Sequence, residues 1–461
     1  MLRESSLKIC LLFMVLFGTQ ESFTQSYQPR WESLDQRAVP QWWKDAKFGI
    51  FVHWGLYSVP AYAPVDQVEG VYEKYSEHYL MRLIEKNEHF TDYQKRNFGE
   101  SSSYKDFAPM FKAEFFNPDK WADLFKKSGA RYVVLTSKHH DGYCLWPSEE
   151  SKGWNSVDVG PKRDLIADLS KSVRSKGLPF GLYYSLLEWT NPLYTSRDMD
   201  RWTSLHMIPQ MKDLVTRYRP EVIFADGEWD YTSDKLKSEE FLAWLYNESP
   251  VKEKVVVNDR WGKETRSKHG GYYTTEYNLI GEELSDNKID HPWEESRGIG
   301  TSYGYNQFET TAHYYSSQQL IHLLIEKVGN GGNLLLNVGP QANGLIPVIM
   351  EQRLLDIGQW LEVNGEAIYG TTAWKGRPVT KDEGIYYTQK EQDLYIICTR
   401  WPQTAFDIDG IKGAEAVTLL GSTAGVKFNT SKNKLRVTAP QINAGNKPCD
   451  HAWVFKVSNF K

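Results

Sequence analysis

The stretch EVIFADGEWD, Glu221–Asp230, changes from an apolar run into a cluster of acidic residues. Its first half is apolar on both faces, which is typical of a strand in a parallel sheet that is covered on both sides. Asp226 stands where the apolar run ends, followed by Gly227, Glu228 and Trp229. A carboxylate in this place indicates a functional position, because parallel α/β folds build their sites at the carboxyl ends of the strands.

Similar apolar runs recur along the chain and alternate with helical patterns. Amphipathic helices are predicted over PDKWADLFKKSG (118–129) and KRDLIADLSKSVRSKG (162–177), which carry apolar residues at helical spacing. Repeated strand–helix alternation predicts an α/β fold, a (β/α)8-like TIM barrel over residues 25–370. About seven strands can be identified, so one is hidden or the barrel is irregular. The other runs are KFGIFVHWG (47–55), ARYVVLTSKHHDG (130–142), LPFGLYYSLLEW (178–189), KVVVNDRWG (254–262), GGYYTTEYN (270–278) and GGNLLLNVGP (331–340).

The pattern changes after about Trp374. Stretches such as GIYYTQKEQDLYIICTRW (384–401) and HAWVFKVS (451–458) alternate with a period of two and are separated by turn residues. This pattern predicts a C-terminal antiparallel β-sandwich over residues 371–461.

Composition narrows the classes of function. The 461 residues carry a net charge of −5, and no run of Lys or Arg indicates a nucleic-acid or lipid surface. The aromatic content of 14% suits sugar binding, because a ring can pack on the C–H face of a pyranose, but aromatic residues also fill large cores.

The N-terminus predicts a cleaved secretory signal over residues 1–24. Arg3 and Lys8 precede the apolar stretch ICLLFMVLFG, which is too short to span a bilayer, and Ser22 and Thr24 supply small residues near the cleavage point. The expected destination is extracellular, periplasmic or lysosomal, depending on the host, and no later segment is predicted to cross a membrane.

Three cysteines follow the predicted signal. Cys398 and Cys449 could form a bridge in the C-terminal region, a question that the sequence leaves open, while Cys144 lies far from both.

Chemically active side chains collect at the ends of the predicted strands. Two chemistries suit such a carboxylate-rich edge: metal-dependent hydrolysis and glycoside hydrolysis. Against a metal, the first strand has no HxH pattern, and the adjacent His139 and His140 would point to opposite faces of a regular strand. Glycoside hydrolysis needs only two carboxyl groups, one ionised and one protonated. The residues collected here are His53, His139, His140, Tyr183, Asp226, Glu228, Arg260, Glu276, Glu294 and Glu295.

Several stretches together resemble the α-L-fucosidases of glycoside hydrolase family 29. The resemblance covers about residues 40–370 and is carried by KFGIFVHWGLYSVPAY, YVVLTSKHHDGYCLWPS, GLYYSLLEWTNPLY, FADGEWD, SPVKEKVVVNDRWG, GGYYTTEYN and GGNLLLNVGP. It implies a barrel followed by a β-sandwich, and retaining, exo-acting release of terminal α-L-fucose from glycans or glycoconjugates. It implies no metal and no other cofactor.

The resemblance also implies roles for particular residues. Asp226 matches the nucleophile, and Glu276, in a T-x-E-Y context, matches the acid/base of bacterial members. Glu294, in a W-E context, is the competing candidate for the acid/base. The family's sugar-binding residues correspond to His53, His139, His140, Tyr183 and Arg260.

The chain departs from the family pattern after SVPA, where many members have a Glu-Trp pair. Here Glu77 and His78 stand in for that pair, so Glu77 is a candidate for binding the sugar. Trp229 and Phe224 are candidates for an apolar wall against the C6 methyl group of fucose.

Alternatives stay open at this level. A catalytically inactive fucose-binding protein would bind fucose without turnover, and a metal-dependent barrel hydrolase would be sensitive to chelators. The sequence is compatible with a homo-oligomer and does not specify the fucosyl linkage.

Overall fold

The computed structural model describes residues 26–66, 68–277, 291–376, 384–402 and 405–461. The predicted secretory signal, residues 1–24, lies outside these ranges. No helix in the described ranges has both the length and the apolar character needed to cross a bilayer.

An eight-stranded, all-parallel sheet forms the first part of the structure. The strands follow the order β5-β4-β3-β2-β1-β8-β7-β6, so β5 and β6 are the two ends of a barrel-like sheet. The predicted fold class is confirmed. The strands are β1 (Phe48–Val52), β2 (Val133–Lys138), β3 (Phe180–Ser185), β4 (Val222–Asp226), β5 (Val256–Val257), β6 (Tyr273–Glu276), β7 (Trp293–Gly298) and β8 (Asn333–Val338).

The strand that the sequence analysis did not identify is β7. Its sequence, WEESRG, contains Glu294, Glu295 and Arg297, yet all six residues are buried between β6 and β8. A polar sequence of this kind does not resemble a strand covered on both faces, because buried charges are costly unless they are paired. The search for apolar runs therefore missed it.

Helices cover the outside of the sheet, and several begin at residues that cap their free N–H groups. The Asn117 side chain accepts a hydrogen bond from the Lys120 N–H at the start of α5, and Asp164 accepts one from Ala167 at the start of α6. The helices in the described ranges are α1 (Trp31–Leu34), α2 (Gln41–Ala46), α3 (Tyr79–Ile84), α4 (Glu88–Phe98), α5 (Pro118–Lys127), α6 (Leu165–Ser175), α7 (Pro192–Thr195), α8 (Met199–Trp202), α9 (Ile208–Tyr218), α10 (Ser233–Leu236), α11 (Ser238–Asn247), α12 (Ser317–Gly329) and α13 (Val348–Asn364).

Two antiparallel sheets make up the C-terminal part. Five strands pair in the order β13-β16-β11-β10-β9 and three in the order β12-β15-β14. Apolar residues of both sheets, including Ile396, Phe455 and Leu435, share one buried cluster, as in a sandwich. The strands are β9 (Thr372–Ala373), β10 (Ile385–Lys390), β11 (Asp393–Cys398), β12 (Phe406–Asp409), β13 (Ala416–Leu419), β14 (Lys427–Ser431), β15 (Lys434–Thr438) and β16 (Trp453–Ser458).

The three cysteines of the described ranges are free thiols. Cys144 and Cys398 are buried, and the Sγ of Cys449 lies 3.4 Å from Nδ2 of Asn364. Cys398 and Cys449 therefore form no bridge in this structure.

Candidate active site

A cavity of about 600 Å³ opens at the carboxyl ends of the barrel strands. Its volume is within the usual range for a small-molecule site, and it combines aromatic walls with a few polar groups. Its lining residues include Phe51, His53, Tyr72, Tyr75, Glu77, His78, His139, His140, Tyr183, Trp189, Phe224, Asp226, Glu228, Trp229, Arg260, Lys263, Arg266, Glu276 and Tyr303.

Asp226 is the last residue of β4, and the glycine behind it explains the local sequence. Gly227 has a φ of +77°, and a Cβ there would lie 2.9 Å from Cγ of Leu187 and 3.3 Å from Cε1 of His140. Glycine therefore allows the chain to turn sharply at the strand end while leaving room for His140.

The carboxylate of Asp226 is held from both sides. Nη1 of Arg260 donates to Oδ1 at 2.8 Å, and the Tyr183 hydroxyl donates to Oδ2 at 2.8 Å. Burial alone would raise the pKa of Asp226, but the charge and hydrogen bond of Arg260, together with the charge of Arg266, outweigh it and hold the pKa well below its usual range. Asp226 is therefore an ionised, buried carboxylate that lines a cavity.

Glu276, the last residue of β6, is the second acid at this place. Its Oε1 accepts a hydrogen bond from the Tyr75 hydroxyl at 2.9 Å, and its Oε2 lies 3.2 Å from Nη2 of Arg260. Asp226 and Glu276 therefore contact different nitrogens of one guanidinium group. Arg260 itself is held in place because its Nε donates to Oγ1 of Thr274 at 3.0 Å.

Glu294 has a different environment. It is fully buried in β7, accepts a hydrogen bond from the Tyr132 hydroxyl, and is absent from the cavity lining. Burial raises its pKa to about 8, so it is neutral at neutral pH. A neutral acid is present, as an acid/base would require, but away from the cavity.

The histidines surround the deep part of the cavity. His139 and His140 both line it, although they are adjacent in sequence, because β2 ends at Lys138 and the two residues leave the regular strand. The expectation of opposite faces therefore does not apply. Burial lowers the pKa of His53 to about 3 and that of His140 to about 4, so both rings are neutral hydrogen-bonding groups.

Fixed partners orient two of these rings. Nδ1 of His53 lies 2.8 Å from Oδ1 of Asn337, which leaves Nε2 to accept a hydrogen bond from another group. Nδ1 of His140 lies 2.7 Å from Oγ of Ser185 in the same way.

Glu77 and His78 both line the cavity, as expected for the segment that replaces a Glu-Trp pair. The backbone N–H of Gly304 donates to Oε2 of Glu77 at 2.8 Å, and the Ser302 hydroxyl donates to the same oxygen at 3.0 Å. Burial raises the pKa of Glu77 to about 7.

The two aromatic candidates occupy different depths. Phe224 is buried, with the guanidinium carbon of Arg260 5.0 Å from its ring centroid. Trp229 is 43% exposed and therefore lies toward solvent, with its ring centroid 5.0 Å from that of His140.

Sequence reasoning missed Tyr75, Tyr303 and Arg266, which also line the cavity. Tyr75 lies in irregular structure between β1 and α3, and Arg266 lies in the turn after β5. Neither position follows an apolar run, so no strand-end signal pointed to them. Within the described ranges, no group of three or more His, Cys, Asp or Glu residues is arranged to hold a metal ion.

Comparisons with known proteins identify the family. The family model described as alpha-L-fucosidase matches residues 14–366, and the model described as alpha-L-fucosidase C-terminal domain matches residues 379–458. The chain belongs to the α-L-fucosidase family. The family therefore spans both the barrel and the antiparallel sheets.

Two relatives and one solved structure show how far the similarity to the α-L-fucosidase family extends. An alpha-L-fucosidase of Branchiostoma floridae is 40% identical over 97% of this chain and 99% of its own length. The human tissue alpha-L-fucosidase is 38% identical over 98% of this chain and 97% of its own length. The crystal structure of a Thermotoga maritima alpha-fucosidase in complex with fucose has a TM-score of 0.78 and 35% identity, covering 94% of this chain and all of that one.

Proposed function

We propose that Asp226 is the nucleophile and Glu276 the acid/base with which this chain releases terminal α-L-fucose. Membership of the α-L-fucosidase family makes the chain a glycoside hydrolase whose substrate is a fucosylated glycan. The observation that carries the residue assignment is that Asp226 and Glu276 both line the cavity and share Arg260.

In the first step, Asp226 attacks the anomeric carbon of fucose. Its ionised state supports this role, because a carboxylate must be charged to form the covalent glycosyl intermediate. Arg260 and Tyr183 hold its two oxygens and so fix the direction in which it faces the sugar.

In the same step, Glu276 gives a proton to the oxygen of the leaving group. In the second step it takes a proton from water, which releases fucose with its original anomeric configuration. Three features support Glu276 over Glu294: a position at a strand end, contact with the cavity, and a link through Arg260 to Asp226.

Fucose hydroxyls are proposed to bind to His53, His139, His140 and Glu77. Neutral imidazoles suit this task, since His53 and His140, whose Nδ1 atoms contact Asn337 and Ser185, each keep Nε2 as an acceptor for a sugar hydroxyl. The buried ring of Phe224 is proposed to meet the C6 methyl group.

A single experiment tests this function. Hydrolysis of an aryl α-L-fucoside, followed by proton NMR at early times, should show α-L-fucose as the first product. Release of β-L-fucose first would contradict the two-step assignment, and fucose binding without turnover would favour an inactive binding protein.

We also propose export through the N-terminal signal over residues 1–24 and a division into domains near residue 370. N-terminal sequencing of the mature protein tests the first, and limited proteolysis tests the second. Homo-oligomer formation stays a prediction that sedimentation velocity would check.

A further inference from the structure

We propose that Glu228 and Arg266, together with Trp229, bind the sugar to which fucose is attached. This inference rests on the proposed function and adds to it a binding site for the leaving group. It would make these three residues determinants of which fucosylated glycans the chain cleaves.

Glu228 and Arg266 form an ion pair in the cavity wall, in which Glu228 is buried and Arg266 is partly exposed. Glu228 is 2% exposed, and its Oε1 accepts a hydrogen bond from Nε of Arg266. In the described part of the chain, the other oxygen of Glu228 and Nη1 of Arg266 are buried without a hydrogen-bond partner. Buried polar atoms are nearly always satisfied, so these two unpartnered atoms, on side chains that line the cavity, support a polar ligand at this wall.

The position of the pair favours the leaving sugar over fucose itself. Nη2 of Arg266 lies 3.9 Å from Oδ1 of Asp226. Nη1 of Arg260 contacts the same oxygen, while Nη2 of Arg260 contacts Glu276. The pair therefore lies beside the proposed nucleophile and so near the anomeric carbon, the atom from which the leaving sugar departs. Fucose hydroxyls have other partners among the histidines deeper in the cavity.

The wall that carries the pair also opens to solvent. Trp229 is 43% exposed, and Lys263 is exposed at the same wall. Tyr72, which lines the same cavity, is 45% exposed. A sugar that extends from the anomeric carbon toward solvent would pass these residues.

The chemistry of the three side chains suits a neutral sugar. A carboxylate oxygen and a guanidinium N–H provide one acceptor and one donor side by side, which matches two neighbouring hydroxyl groups. The Trp229 ring offers an apolar face for the C–H groups of the same sugar. Its exposure suits this role better than a wall around the C6 methyl group of fucose.

The test compares two substrates that both need a proton on the leaving group. One is the fucosyl disaccharide that the unaltered chain cleaves fastest, and the other is trifluoroethyl α-L-fucoside, whose alcohol is about as acidic as a sugar hydroxyl but carries no sugar. In Glu228→Gln and in Trp229→Ala, kcat/KM should fall at least tenfold more for the disaccharide than for the trifluoroethyl fucoside. Asp407→Asn, which breaks an ion pair with Arg436 between β12 and β15 of the C-terminal sheets, is the matched control and should keep the ratio.

The outcomes separate the inference from the proposed function. Equal losses on both substrates would overturn the inference, since they would mean that Glu228 acts on fucose, Asp226 or Glu276. If the unaltered chain cleaves neither substrate, the proposed function fails instead. Trp229→Ala keeps the test valid if Glu228→Gln does not fold, because Trp229 is exposed.

Discussion

Nη1 of Arg260 lies 2.8 Å from Oδ1 of Asp226, in a site where both residues are buried. Removal of water strengthens this contact, because the attraction between charges increases as the local dielectric constant falls. The same guanidinium group also contacts Glu276 through Nη2. Arg260 therefore stabilises the charge of the proposed nucleophile and also helps to hold the proposed proton donor in place.

Replacement of Asp226 should remove the nucleophile and leave the fold. Asp226→Gly is expected to lower kcat on an aryl α-L-fucoside by several orders of magnitude, because no covalent intermediate can form. Added azide should then restore turnover and give β-L-fucosyl azide, since azide would attack from the face that Asp226 occupied. Near-normal hydrolysis by this variant, with an unchanged circular dichroism spectrum, would remove Asp226 from the role.

Replacement of Arg260 should change the pH dependence as well as the rate. Arg260 lowers the pKa of Asp226, so Arg260→Gln should raise that pKa and move the acid limb of the kcat/KM profile to higher pH. The value of kcat/KM at the optimum should fall about 10²-fold, as expected for loss of a preorganised charged donor. The control is Arg174→Gln, which removes an ion pair with Glu221 just before β4, and should leave the limb in place. If the acid limb of the Arg260→Gln profile stays in place, Arg260 does not lower the pKa of Asp226.

The two candidates for the acid/base can be separated by rescue. Glu276→Ala should retain much more activity on a substrate with an acidic leaving group than on a disaccharide, and azide should restore it with formation of α-L-fucosyl azide. Glu294→Gln should keep kcat, because Glu294 does not line the cavity. Azide rescue of Glu294→Ala, without rescue of Glu276→Ala, would reverse the assignment.

The sequence predicted the barrel because most of its strands are apolar on both faces, and it predicted the position of Asp226 because that strand ends abruptly in an acid. It did not predict β7, whose polar residues resemble a loop and find their partners only in the folded barrel. Tyr75 and Arg266 were missed for a related reason, since they reach the cavity from irregular segments. The depths of Phe224 and Trp229 depend on packing and could not be distinguished by residue type.

The buried carboxyl group of Glu294 should make stability depend on pH. Its pKa is about 8 in the native state and about 4.5 in the unfolded chain, so between these values the native state binds the proton more tightly. Stability should therefore fall as the pH rises from about 4.5 to about 8, by up to about 1.4 kcal/mol per pH unit from this group. Below that range both states are protonated, and the contribution no longer changes.

Glu294→Gln isolates this contribution, because glutamine stays neutral at every pH. The free energy of unfolding in urea, measured for both proteins from about pH 5 to about pH 8, should decline more steeply in the unaltered chain than in the variant. Glu77, whose pKa is about 7, and Asp141, whose pKa is raised to about 6, are present in both proteins, so their contributions cancel in the difference. Parallel pH curves would show that Glu294 is not protonated in the folded barrel.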